Sequence, residues 1–124
     1  MKDQLITPEP QTIFYEDDKV YACLASHPLS KGHSIVVWKD MVSDLHLLSV
    51  KDYDYLMNIV DQVRNALTRV YKVKKVYLMY MDEVKHVHWH LIPRYNLLGF
   101  NVLKHHPGKL TSYTQVIKLK QLLI

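Results

Sequence analysis

Apolar residues in this chain follow two rhythms. Along residues 51–71, Tyr53, Leu56, Met57, Val60, Val63, Leu67, Val70 and Tyr71 recur at steps of three and four. That spacing gathers them into one stripe and predicts an α-helix roughly 31 Å long. Ser49 or Asp52 can cap its start. The stripe reads as core packing against a sheet. The second rhythm is strict alternation. In His86-Val87-His88-Trp89-His90-Leu91-Ile92-Pro93, three histidines and Ile92 share one parity, while Val87, Trp89 and Leu91 share the other. Period two is the mark of a half-buried strand. Pro93 cannot donate to a sheet ladder and is expected to end it.

Shorter runs complete the pattern. Thr12–Tyr15 and Val20–Ala25 flank the charged turn Glu16–Lys19 and predict a hairpin. His33–Trp38 is dominated by β-branched residues and predicts a third strand. Val76–Met81 predicts a fourth, joined to the histidine strand by the tight connection Asp82–Lys85. Residues 1–11 read as an extended lead-in and 40–50 as a connection with short helical turns. Arg94–Lys109 reads as loop, holding Gly99, His105, His106, Pro107 and Gly108, and Tyr113–Leu123 as a C-terminal helix. The order β-β-β-α-β-β-α predicts an α+β domain with a mostly antiparallel sheet and a helix on one face. No repeat or linker divides the sequence, and 124 residues fit a single domain over 1–124.

Composition narrows the function. At 48% hydrophobic and 23% charged residues, the chain has the make-up of an ordinary soluble globular protein. Cys23 stands alone, which rules out an internal disulfide and any Cys-pair zinc motif within one chain. Met1–Pro8 lacks the apolar core of a signal peptide, and no apolar run approaches a membrane span. The expected setting is the cytoplasm, with no membrane partner. A net charge of +4 favours anionic partners weakly. The basic residues are scattered apart from Lys72, Lys74 and Lys75, so nucleic acid is not expected as the main partner. A small phosphorylated ligand suits the same charge.

On a strand, His86, His88 and His90 would stand in a row about 6–7 Å apart. Three readings are open. The rings can be exposed or hydrogen-bonded with no chemical role. They can hold zinc, with His33 or Glu83 as a further ligand, although the outer two would be about 13 Å apart and suit one ion poorly. Or they can act on a phosphate. Imidazole is largely neutral near pH 7 and is a competent nucleophile, and a neighbouring imidazolium can donate to a phosphoryl oxygen or a leaving group. Phosphoryl transfer needs mainly positioning and charge stabilisation, which a rigid row supplies.

The segment His86–Arg94 closely resembles the His-x-His-x-His-x-x signature of the histidine-triad (HIT) superfamily, with x hydrophobic. Ile13–Asp18 resembles that family's opening hairpin. Pro28 through Gly32-His33-Ser34-Ile35-Val36-Val37 resembles its Pro-x-x-x-Gly-His segment and following strand. The likeness covers a core of residues 12–95, leaving 96–124 as a C-terminal extension. It implies a HIT-like fold: a five-stranded, mostly antiparallel sheet with one long helix and a C-terminal helix. It also implies a homodimer whose two sheets join into one of ten strands. The implied activity is a nucleotide hydrolase that cleaves a phosphoanhydride, as in a dinucleoside polyphosphate, or a phosphoramidate at the α-phosphate. His88 would attack to give a nucleotidyl-histidine, His90 would contact the phosphate, and His86 and His33 would orient and buffer the nucleophile. A uridylyltransferase branch carries Gln at the third position, so His90 points to the hydrolase side. No cofactor is required by this scheme.

Two places depart from the family pattern. Ala25-Ser26 stands where many members carry an acid for the ribose hydroxyls. Glu83 stands where a Ser or Thr often assists the leaving group; its carboxylate can take a proton, hold a cation such as Mg²⁺ or repel a polyphosphate. Ser26 and Glu83 are therefore the candidate substrate-binding residues. Cys23 can line a base pocket or simply pack in the sheet. The alternatives are an aprataxin-like hydrolase of adenylated nucleic-acid ends and a non-catalytic nucleotide-binding module.

Overall fold

A computed structural model of the protein describes residues 7–81, 84–96 and 107–123. Strands β1 (Ile13–Glu16), β2 (Val20–Leu24), β3 (Ser34–Trp38), β4 (Lys75–Tyr80) and β5 (His88–Arg94) form one sheet in the order β1-β2-β3-β5-β4. Each neighbouring pair is antiparallel. Helix α1 spans Val50–Tyr71 and helix α2 spans Thr114–Leu122. The connection before α1 contains a single 3-10 turn at Leu45–Leu47. This is the five-stranded α+β arrangement expected of the HIT-like fold.

The stripe on α1 buries Leu56, Ile59, Val60, Val63, Ala66 and Leu67. Ser49 caps the helix by accepting the Asp52 N–H, and Lys72, in the left-handed region at φ 56°, ends it. Phe14, Ala22, Leu24, Val36, Trp38, Val76 and Leu91 of the sheet belong to the same core. The opposite face of β2 and β3 is apolar too, with Tyr21, Cys23, Ile35 and Val37 forming a second, smaller cluster.

The hairpin turn is fastened to α1 by Asp17. One carboxylate oxygen accepts the Lys19 and Val20 N–H groups, each at 2.8 Å. The other accepts the hydroxyls of Tyr15, at 2.7 Å, and of Tyr55 on α1. Asp17→Ala strips four donors of their acceptor and is expected to cost about 2–4 kcal/mol. Urea denaturation measures this. Asp18→Ala, on an exposed side chain, is expected to stay within about 0.5 kcal/mol of the parent, and equal costs for the two would refute the role given to Asp17.

Two expectations are corrected at the histidine strand. Pro93 does not end it, because the strand runs on to Arg94 with Pro93 opposite Val76. The strand also starts at His88 rather than His86. Lys85 takes a left-handed conformation at φ 54°, which turns the backbone just before His86. Val87 then bridges outward, donating to Val42 O at 2.9 Å and accepting from Trp38 N at 3.1 Å. The row on the strand is therefore two histidines long. Asp82, Glu83 and residues 97–106, with His105 and His106, lie outside the described residues.

Candidate active site

Antiparallel register places Ile35 opposite His90 and Val37 opposite His88. Directly opposed residues share a face, so both imidazoles stand on the side away from α1, on the cluster of Tyr21, Cys23, Ile35 and Val37. Their ring centroids are 5.0 Å apart and nearly perpendicular, at 73°. His33, one residue before β3, brings a third ring to 5.2 Å from His90.

Hydrogen bonds to groups of fixed polarity assign the protons. Leu29 N donates to His33 Nδ1 at 3.0 Å. A backbone amide can only donate, so His33 carries its proton on Nε2. That nitrogen lies 3.0 Å from His90 Nδ1, so His90 accepts there and keeps its own proton on Nε2. His88 Nδ1 lies 2.6 Å from the His86 carbonyl oxygen, which can only accept. His88 therefore donates from Nδ1, and the lone pair of its neutral ring lies on Nε2. His86 Nε2 donates to Trp38 O at 2.7 Å. Its Nδ1 has no partner among the described residues.

Burial reinforces this pattern. Desolvation, with His90 alongside, holds His33 down at about 3, and desolvation with His88 alongside holds His90 at about 4. Both rings are thus neutral at pH 7, and His90 offers an N–H donor without being an imidazolium. Adjacent rings consequently present opposite functions: an unprotonated nitrogen on His88 and an N–H on His90. That pair can attack an electrophilic centre and hydrogen-bond an oxygen attached to it.

The other candidates separate from this cluster. His86 meets His88 through its backbone carbonyl, while its ring is buried at 3% exposure against Trp38. Ser26 lies just past β2; its carbonyl accepts Leu110 N at 3.0 Å and its hydroxyl meets His27 Nδ1 at 3.3 Å. Glu83 lies outside the described residues. Cys23 is fully buried and burial pushes its thiol up to about 12, so it packs as sheet core. Among the described residues, no three His, Cys, Asp or Glu side chains converge as ligands for one metal ion. No described helix is long and apolar enough to cross a membrane.

Sequence reasoning missed the Leu29 N–H, because every residue but proline has one. Gly32 is the legible part of that loop. It sits at φ +90°, and a Cβ there would lie 2.8 Å from the Tyr71 ring, so only glycine fits the turn into His33.

Comparison with known proteins gives a consistent picture. The model of the HIT domain family matches residues 7–97. An uncharacterized 13.1 kDa HIT-like protein of Mesomycoplasma hyorhinis is 36% identical over 95 residues, spanning 70% of this chain and 84% of that protein. A HIT-like protein of Bartonella henselae involved in cell-cycle regulation superposes with a TM-score of 0.78 at 21% identity, covering 97% of this chain and 92% of that one. The diadenosine triphosphate hydrolase of Plasmodium falciparum superposes with a TM-score of 0.67 at 15% identity, covering 92% of this chain and 75% of that one. At such identities the two structural likenesses speak for the fold alone.

Proposed function

This chain belongs to the HIT domain family, and from that membership we propose that it hydrolyses a nucleotidyl phosphoanhydride or phosphoramidate at the α-phosphate through a nucleotidyl-histidine. The observation that carries this reading is the opposed hydrogen bonding of the two rings, with Nδ1 donating on His88 and accepting on His90. The lone pair on His88 Nε2 attacks phosphorus and forms a P–N bond. The bond from phosphorus to the leaving phosphate or amine breaks, and the leaving group takes its proton from solvent. Water then attacks phosphorus and gives up a proton to solvent, the P–N bond breaks, and its electron pair returns to Nε2. The nucleoside monophosphate is released. Throughout, His90 donates its Nε2–H to a phosphoryl oxygen. The His86 carbonyl accepts the Nδ1–H of His88, which becomes more positive as Nε2 bonds to phosphorus.

The same reading assigns a pair of identical subunits acting in the cytoplasm, joined through their sheets. Among the described residues of one subunit, β4 has a strand neighbour only on its β5 side. It carries Leu78 and is followed by Met81, respectively 41% and 45% exposed, which favours that edge for a second copy.

Rapid quenching with an adenylyl phosphoramidate tests the chemistry. The intact protein is expected to gain the mass of one adenylyl group, and turnover in ¹⁸O-water to place a single label in the released monophosphate. Turnover without any adduct would point to direct attack by water and refute the covalent route.

A further inference from the structure

The histidine that donates to phosphate does not set its own proton. His90 keeps its hydrogen on Nε2 because His33 donates to Nδ1, and His33 donates because Leu29 N occupies its other nitrogen. The geometry of residues 29–33 therefore decides which nitrogen of His90 is the donor. Besides the His33–His90 contact, two side-chain hydrogen bonds hold this loop to β5 and the residue following it. Ser30 Oγ donates to Pro93 O at 2.6 Å. Tyr95 OH donates to Lys31 O at 2.6 Å. Pro93 and Tyr95 lie three and five residues beyond His90 in the sequence, so both contacts tether the loop to the element that carries His88 and His90.

We propose that Ser30 and Tyr95 are positioning residues that fix the protonation pattern of the His33–His90 pair through the loop between them. Neither needs to touch substrate. Each instead fixes the separation between the loop and the histidine strand. Without them the Leu29 N–H drifts from His33 Nδ1, and His33 becomes free to exchange its two neutral forms. His90 follows, and part of the population then turns a bare nitrogen towards the phosphoryl oxygen, where lone pair would face lone pair. His88 is independent of this series of bonds, because its Nδ1 proton goes to the His86 carbonyl.

That independence supplies the internal control. In ¹⁵N-labelled protein at pH 7, long-range nitrogen–proton spectra are expected to show His33 and His90 wholly as the Nε2–H form and His88 as the Nδ1–H form. In the Ser30→Ala/Tyr95→Phe double variant, His33 and His90 are expected to become mixtures while His88 stays unchanged. Replacing the Leu29 amide by an ester, through segment synthesis, deletes the one donor directly and is expected to give the same pattern. If the double substitution unfolds the protein, the Ser30→Ala and Tyr95→Phe single variants, each removing one of the two contacts, decide the matter. His90 remaining purely Nε2–H in the folded variants would overturn the proposal, as would His88 changing together with it. The expected effect on rate, a fall of about 10–100-fold in adduct formation, rests on the nucleotidyl-histidine reading. If wild type forms no adduct, that reading fails while the spectra still decide the role of Ser30 and Tyr95.

Discussion

His88→Ala is expected to abolish adduct formation and to lower turnover by roughly 10⁴-fold or more, the scale seen when a covalent nucleophile is deleted. Alanine offers no lone pair at the attacking position, and no described neighbour can substitute. His90 has its Nδ1 engaged by His33 and a proton on Nε2. His86 directs its Nε2 to Trp38 O and is buried. His90→Ala removes a donor rather than the nucleophile, so a smaller loss of about 10²–10³-fold is expected, with the adduct still detectable. Single-turnover quenching of the three proteins, with circular dichroism to check folding, gives the ranking. Turnover by His88→Ala at the wild-type rate would end the assignment. A larger loss at His90 than at His88 would exchange the two roles.

Much of this site is legible in the sequence because its chemistry is written in local periodicity. The stripe from Leu56 to Leu67 and the alternation from His88 to Leu91 each follow from one element's geometry, and the structure places both as that geometry requires. What escapes is what non-local hydrogen bonds decide. Alternation runs unbroken through Val87, so nothing in the residue pattern reveals that Lys85 turns the backbone and sends His86 to Trp38 O. The partnership of His33 with His90, rather than with the nucleophile, depends on β3 lying beside β5, a pairing across more than fifty residues of sequence. The protons depend on one backbone amide and one backbone carbonyl, which carry no residue signature. The apolar bed of Tyr21, Cys23, Ile35 and Val37 has the same origin. Nearly continuous apolar runs predict strands but do not say that both faces are covered.

Buried His33 and half-buried His90 are expected to make the protein unusually sensitive to mild acid. Burial holds His33 at about 3 and His90 at about 4, with His90 and His88 respectively adding to the effect. In the unfolded state both return to about 6.5. From pH 6.5 down to about 4, the unfolded protein therefore binds protons that the folded protein refuses, and stability falls as pH falls. Each ring contributes at most about 1.4 kcal/mol per pH unit, so the pair approaches about 3 kcal/mol per unit at its steepest. Against a typical domain stability of about 5–15 kcal/mol, a drop from pH 6 to pH 4 is enough to bring the fold near its limit. Carboxylates act in a lower window. Burial raises the Asp17 value, but hydrogen bonds from Tyr55, Tyr15, Val20 and Lys19 outweigh it and hold the group below its ordinary 3.8. Its contribution is fully present above that value and is lost only as pH falls through the still lower folded value. Urea midpoints measured at pH 7, 6, 5 and 4.5 follow the histidine window alone, above the range in which Asp17 titrates. His33→Asn, whose amide oxygen stands where Nδ1 does and whose side chain does not titrate, is expected to remove up to about half of the slope. Wild-type stability that stays flat from pH 6.5 to 4.5 would mean that these rings take up protons as readily folded as unfolded, and the neutral, directional pair assigned to the site would be lost with it.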